Sequence, residues 1–99
     1  MRMMLKFAVP TERGNAALKD GSLGKDMESI MSKLKPEAAY FGILDGKRRG
    51  GILFFEMADA SQIVEAVEPF FLSYDADVEL VPVMTAEDLR KGLSNAAPS

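Results

Sequence analysis

Apolar and polar residues alternate at the start of the chain, and this period of two predicts a β-strand over residues 2–9. Residues 11–35 have helical spacing instead, with an apolar stripe of Leu23, Met27, Ile30, Met31 and Leu34. Gly21 and Gly24 weaken the first half of this helix. We therefore expect the helix to kink or break within residues 20–24.

Two further strands are predicted at residues 37–44 and 49–57. An Asp-Gly pair between them is a strong hairpin signal. A second helix is predicted at residues 60–71, and Pro69 is expected to kink this helix or end it early.

The fourth strand is predicted at residues 77–84, and Pro82 assigns it to a sheet edge or a bulge. Thr85 and Asp88 then form the capping box of a short terminal helix, and residues 94–99 are expected to be a frayed tail. The order β-α-β-β-α-β is typical of the ferredoxin-like α+β fold. Right-handed crossovers give the antiparallel strand order 4-1-3-2, with both helices on one face.

The two hairpin strands are apolar on both faces. An even-numbered hairpin loop would put Phe41, Phe54 and Glu56 on one face. Tyr40 and Leu53 would then lie on the other. Two helices cover only one face, and soluble proteins rarely expose an apolar patch of several hundred Å². We expect a second copy to cover the open face by sheet-to-sheet packing, in preference to a monomer whose terminal helix folds across it.

Composition narrows the chemistry. The chain has 99 residues and a net charge of −3, which fits one domain over residues 1–93 plus the tail. Cys and His are both absent, which excludes disulfides, thiolate catalysis and Cys or His metal sites. An enzyme would need Asp, Glu, Tyr, Lys or Arg, or chemistry supplied mainly by its substrate or cofactor. Our expectation is no metal and no cofactor.

Charge and hydropathy also bear on partners and location. The acidic balance, and the lack of stacking aromatics in "RGGILFFE", argue against nucleic-acid binding. No apolar run reaches the ~18 residues of a membrane span, and Lys6 interrupts the first apolar segment. The expectation is a cytoplasmic protein without a signal peptide or a membrane partner.

The run "PEAAYFGILDGKRRGGILFFEMADASQIVEAVEPFFLSYDADVELVPVMTAEDL" resembles small uncharacterised members of the dimeric α/β-barrel superfamily. The segment "EPFFL" followed by "VELVPVMTAEDL" carries most of the resemblance. It implies a ferredoxin-like fold and a homodimer. The superfamily holds cofactor-independent monooxygenases, lactone isomerases, and dehalogenase-like and stress-responsive proteins, so the resemblance implies no single reaction. The catalytic His residues that several branches use have no counterpart here.

Tyr40 and Glu56 are the candidate catalytic residues, as hydroxyl donor and as carboxylate or base. The strand order should bring Glu56 close to Arg2, and Glu79 close to Lys6. The alternative is that these charges only form cross-strand ion pairs at the sheet margin.

Four further residues are candidates for ligand binding. Lys6 and Arg49 would be partners of an anion, whereas Phe41 and Phe54 would line an aromatic pocket or simply belong to the core. Residues 21–25 are a weaker candidate for an anion-binding backbone nest. We therefore expect a homodimeric domain that binds a small apolar or aromatic molecule, as a cofactor-independent enzyme or, alternatively, as a non-catalytic binding or regulatory module.

Overall fold

The computed structural model describes residues 1–98. The elements in chain order are β1 (Arg2–Ala8), α1 (Thr11–Asp20), α2 (Ser22–Leu34), β2 (Ala38–Gly42), β3 (Gly50–Glu56), α3 (Gln62–Tyr74), β4 (Asp77–Pro82) and α4 (Ala86–Ala96). The strands form one antiparallel sheet in the order β2-β3-β1-β4. The predicted strand order is thereby confirmed, and β4 with its proline lies at an edge.

The predicted helix break is confirmed at Gly21. This residue has a φ of 82°, in the left-handed region that favours glycine, and it ends α1 and begins α2. The amide of Ser22 donates a hydrogen bond of 2.8 Å to Oδ1 of Asp20, which bridges the break. The first predicted helix is therefore two helices joined by a tight elbow.

Of the two outcomes expected at Pro69, a kink or an early end of the second helix, the early end was wrong, because α3 continues to Tyr74. Proline in a helix interior costs about 3 kcal/mol. Beyond the proline, however, Phe70 and Tyr74 are completely buried, and burying each such side chain contributes roughly 2–3 kcal/mol. Burial of the last turn therefore outweighs the missing hydrogen bond.

The core lies between the sheet and the helices. Leu5 and Phe7 of β1 and Leu53 of β3 point from one sheet face into this layer, where Ile30 of α2 and Phe70 of α3 meet them. The rings of Phe7 and Phe70 are 4.7 Å apart. This face of the sheet is covered by the chain itself, and we call the opposite side the open face.

The predicted assignment of hairpin residues to the two faces was wrong. Tyr40 pairs with Ile52, and Phe41 pairs with Gly51, so the hairpin loop 43–49 is odd-numbered and every β2 side chain moves to the other face. Tyr40 therefore lies on the open face with Phe54 and Glu56, whereas Phe41 lies on the covered face. The Asp-Gly pair forms part of a longer loop than the tight turn that it usually makes.

Helix α4 stands apart from the rest of the domain. Its predicted capping box is confirmed: Oγ1 of Thr85 accepts from the Asp88 amide at 3.0 Å, and Oδ2 of Asp88 accepts from the Thr85 amide at 3.1 Å. None of its residues is buried. The radius of gyration is 16.0 Å and the longest dimension is 60 Å, against about 13 Å for the radius of gyration of a compact domain of this length. The terminal helix therefore does not cover the open face.

The C-terminal residues differ from the predicted tail. Helix α4 extends into the predicted frayed tail as far as Ala96, and Ser99, the last residue of that tail, lies outside the described residues. Between residues 1 and 98, no helix is both long enough and apolar enough to span a bilayer.

Candidate functional site

A cleft of about 680 Å³ opens between the elbow that joins α1 to α2 and the end of the β2–β3 hairpin. Its walls are almost entirely apolar, and Arg49 is the one charged residue among those that line it. The lining residues are Phe7, Val9, Leu18, Gly21, Leu23, Gly24, Met27, Phe41, Gly42, Ile43, Arg49 and Gly50. We call this feature the Arg49 cleft.

Glycine in β3 makes the aromatic wall of the Arg49 cleft. A Cβ on Gly51 would lie 2.7 Å from Cε1 of Phe7 and 2.9 Å from Cδ1 of Phe41. Without that atom, the two rings meet edge to face over the strand with centroids 6.5 Å apart. Phe41 remains 54% exposed although it lies on the covered face, because its ring borders the cleft.

The helix elbow forms the opposite wall. Leu18 comes from the end of α1, and Leu23 and Met27 come from the start of α2. The backbone carbonyl of Leu23 accepts a hydrogen bond of 2.8 Å from the hydroxyl of Tyr74. Burial raises the pKa of Tyr74 to about 12, so this phenol stays a donor and anchors the elbow to α3.

Arg49 enters the cleft from the loop just before β3. Its carbonyl accepts a hydrogen bond of 2.8 Å from the Val9 amide, which fixes the backbone. Its side chain packs against α1 at Gly14, where an added Cβ would lie 2.7 Å from Nη1 of Arg49. Among residues 1–98, Arg49 takes part in no salt bridge.

The neighbouring Arg48 is used differently. Its guanidinium contacts Asp45 at 2.7 Å and Asp77 at 2.6 Å. The side-chain hydrogen bond from Arg48, with backbone amides of the same turn, holds the pKa of Asp45 well below its usual range. Arg48 therefore closes the hairpin loop, whereas Arg49 borders the cleft and has no carboxylate partner among residues 1–98.

The structure separates the predicted site residues. Phe41 and Arg49 share the cleft, but Tyr40 is 63% exposed on the open face, where Phe54 is half-buried. Glu56 lies on the same strand as Ile52, the partner of Tyr40, and four residues along a strand span about 13 Å. Tyr40 and Glu56 are thus too far apart to act together on one small molecule.

The predicted charge neighbours are confirmed by register: Lys6 faces Glu79, and Arg2 faces Glu56. Arg2 nevertheless forms its bidentate pair with Glu37, in which Nη2 and Oε2 are 2.9 Å apart.

The two other charged candidates border separate hollows. Glu56 contacts the amino group of Met1 at 3.1 Å and borders a groove of about 680 Å³, lined by both polar and apolar residues, between the end of α2 and α3. Lys6 borders a hollow of only about 120 Å³. Each therefore lies apart from the Arg49 cleft.

Several cleft residues were missed in the sequence because their spacing fits an ordinary helix. Leu23 and Met27 belong to the apolar stripe of α2, and that stripe continues into the core. The available signal was the pair of glycines at 21 and 24, which marked a break and hence a gap between helix and sheet. The proposed backbone nest falls at this same wall of the cleft.

Comparison with protein-family models gives no match, and comparison with curated proteins gives none either. Residues 1–98 also contain no group of three acidic side chains arranged to hold a metal ion. The sheet order and helices are compatible with a ferredoxin-like fold.

Proposed function

We propose that this chain is a homodimeric domain of the dimeric α/β-barrel type, and that it binds a small apolar molecule with an anionic group in the Arg49 cleft. The observation that carries the proposal is an apolar cleft of about 680 Å³ with a single charged residue. Ligand sites usually combine apolar walls with a few polar groups that fix orientation, and have volumes of roughly 300–1,000 Å³. The Arg49 cleft has these properties.

The charge in the cleft favours an anion. A guanidinium in apolar surroundings loses part of its hydration, and a carboxylate, sulfonate or phosphate restores the lost hydrogen bonds in a bidentate geometry. Arg48, one residue away, has two carboxylate partners, so acidic side chains are within reach of this loop. Arg49 has no such partner among residues 1–98, so its charge is left for a ligand.

Aromatic rings favour a flat apolar body for the same ligand. Phe41 presents an exposed ring at the cleft, and Phe7 lies edge-on behind it. Such rings bind aromatic or aliphatic surface by stacking and by area burial. The proposed ligand is therefore amphipathic, with its ring or chain beside Phe41 and its acid group at Arg49.

Binding without catalysis is the form of this function that the geometry favours. The two candidate catalytic residues are distant from each other along the sheet, and neither borders the Arg49 cleft. A cofactor-independent enzyme would need another acid or base to approach a ligand in the cleft. We keep that activity as the alternative to a binding or regulatory module.

The test uses two fluorescent probes that differ in one group. Anilinonaphthalene sulfonate is aromatic and anionic, whereas N-phenylnaphthylamine has the same rings without the sulfonate. We expect Arg49→Gln to weaken sulfonate-probe binding roughly tenfold, as for a lost charge-assisted hydrogen bond, and to leave the neutral probe almost unaffected. Arg48→Gln is the matched control, and it should not discriminate between the probes.

Phe41→Ala completes the design, because it should weaken both probes together. Anilinonaphthalene sulfonate also binds partly unfolded proteins, so each variant is first checked for a cooperative thermal transition. Equal loss of both probes in Arg49→Gln, or no saturable binding to the unchanged protein, would contradict the proposal.

A further inference from the structure

Helix α4 and the open face of the sheet both present apolar side chains that the rest of the described chain leaves uncovered. We propose that α4 is an exchanged arm, and that it packs on the open face of a second copy while the second copy's α4 packs on the first. The inference extends the proposed homodimer, on which it depends. It differs from the sheet-to-sheet packing expected from the sequence, because the second copy's helix, in place of its sheet, covers the apolar part of the open face.

The first observation is a well-formed helix without a packing partner. Ala86, Leu89, Leu93 and Ala96 follow one another at spacings of three, four and three residues, which makes one apolar stripe. Leu89 is 46% exposed and Leu93 is 62% exposed. An isolated helix of this length is marginal in water even with good capping. The stripe therefore needs a surface that its own domain does not provide.

The second observation is the shape of the domain. The capping box at Thr85 fixes the direction of α4 at its first residue, just after the edge strand. The helix then extends from the body, as the long dimension of 60 Å against 28 and 18 Å requires. An arm that leaves its own domain at a sheet edge is well placed to reach a neighbour.

The third observation is the pattern of the open face. The register aligns one apolar row across all strands of the sheet, formed by Ala38, Phe54, Met4 and Val81. The adjacent row contains Tyr40 and Ile52 on one side and the Lys6–Glu79 pair on the other. The apolar row is thus a strip with charged groups beside it, and a helix with a single apolar stripe matches such a strip.

The area of the open face also favours exchanged helices as its cover. The open face measures about 19 Å across its strands and about 20 Å along them, from strand spacing and rise. Charged side chains occupy part of this surface, and stable complexes bury roughly 800 Å² on each partner. Two exchanged helices add their own stripes and the surface beneath them, which raises the buried area toward that value.

A second copy is the occupant because donor and acceptor surfaces are both present in every chain at equal number. Reciprocal exchange about a two-fold axis closes the assembly, satisfies both surfaces at once and leaves no open end. An unrelated partner would cover one surface and leave the other in water.

Sedimentation of the full chain tests the arm. Leu93→Glu should raise the dimer dissociation constant roughly tenfold or more, as expected for an apolar anchor. Ser94→Glu adds the same charge one residue further along, outside the apolar stripe, and should change the dimer dissociation constant little. Because no α4 residue is buried in its own chain, both variants should still unfold in one cooperative thermal transition. Equal dimerisation of the two variants would overturn the arm while the dimer stands.

Disulfide cross-linking is the second measurement. The chain contains no cysteine, so only the introduced thiols can form a disulfide. A mixture of Leu93→Cys and Met4→Cys chains should give a disulfide-linked heterodimer on mild oxidation. A cross-link within one chain of the double variant, in place of one between chains, would overturn the exchange. A protein that stays monomeric at every concentration would overturn both the arm and the homodimer.

Discussion

The guanidinium of Arg49 lies directly against Gly14, with only 2.7 Å between Nη1 and the place where a Cβ on that glycine would be. Helix α1 has no side chain at this buried position, so the side chain of Arg49 packs directly against the helix backbone. A glycine in a helix interior costs up to about 1 kcal/mol relative to alanine. At position 14, however, the glycine leaves the space that the guanidinium of Arg49 occupies beside α1.

Gly14→Ala separates these two effects. We expect the thermal midpoint to stay the same or rise slightly, since alanine favours the helix and the displaced atoms belong to a flexible side-chain end. Affinity for anilinonaphthalene sulfonate should fall by a factor of about three to ten, since part of a charge-assisted hydrogen bond is lost. Gly92→Ala, in a helix position with nothing within 4 Å, is the control that should leave binding unaltered.

Gly51→Ala should damage the aromatic wall of the cleft. The new methyl group would lie within 3 Å of the rings of Phe7 and Phe41, and overpacking of this kind costs roughly 1–3 kcal/mol. The neighbouring edge strand offers a control: a methyl group on Gly42 would have its nearest contact at 3.7 Å, with Leu44. Chemical denaturation should rank Gly51→Ala well below Gly42→Ala in free energy of unfolding. Equal free energies of unfolding for the two variants would show that the rings of Phe7 and Phe41 move aside without destabilising the fold.

Tyr74→Phe should lower the free energy of unfolding by about 1 kcal/mol, because it deletes the hydrogen bond to the Leu23 carbonyl. It should also change the alkaline limb of the stability profile. Burial raises the pKa of Tyr74 from 10.0 to about 12, so the folded state keeps a proton that the unfolded chain releases. The stabilisation is complete below pH 10 and is lost as pH rises through 12.

Denaturation midpoints between pH 9 and about 12 check this point. The unchanged protein should lose stability steadily above pH 10, whereas Tyr74→Phe should lose less. Tyr40→Phe alters an exposed phenol and should follow the curve of the unchanged protein. If Tyr40→Phe flattened the curve instead, the buried phenol would not be the group responsible.

Thr85→Ala should loosen α4 alone. Loss of a capping threonine costs about 1 kcal/mol, and no α4 residue is buried, so helicity by circular dichroism should fall while the cooperative unfolding of the core is kept. Backbone hydrogen bonding at the cap lowers the pKa of Asp88. Its stabilisation is present above pH 3.8, the ordinary value, and is lost as pH falls through the lowered value. A helical signal equal to that of the unchanged protein at neutral pH would contradict the role of the cap.

The sequence was sufficient for the sheet order, the helix elbow and the α4 cap, because each depends on local chemistry: alternation, glycine and proline positions, and the spacing of Thr85 and Asp88. It was insufficient for the hairpin register. One residue more or less in the loop moves Tyr40 from one face to the other, and an Asp-Gly pair does not determine how many loop residues surround it.

The candidate site residues lie on different parts of the domain because of the same difference in register. Residues from β2 and β3 were grouped by a face assignment that the register reverses, so Tyr40 and Phe41 exchange environments. Arg49 and Phe41 remained together because both adjoin the loop end of the hairpin. The elbow residues Leu23 and Met27 could not be recognised as cleft residues, since their helical spacing also satisfies core packing.

The hydroxyl of Tyr74 joins the far side of the core to the wall of the Arg49 cleft through one backbone carbonyl. The chain has two tyrosines and no tryptophan, and only Tyr74 of the two is buried, so it should give most of the tyrosine near-ultraviolet circular dichroism of the folded protein. A molecule that displaces Leu23 will disturb that signal without any label. Near-ultraviolet circular dichroism is thus a label-free way to test whether the proposed ligand binds in the Arg49 cleft.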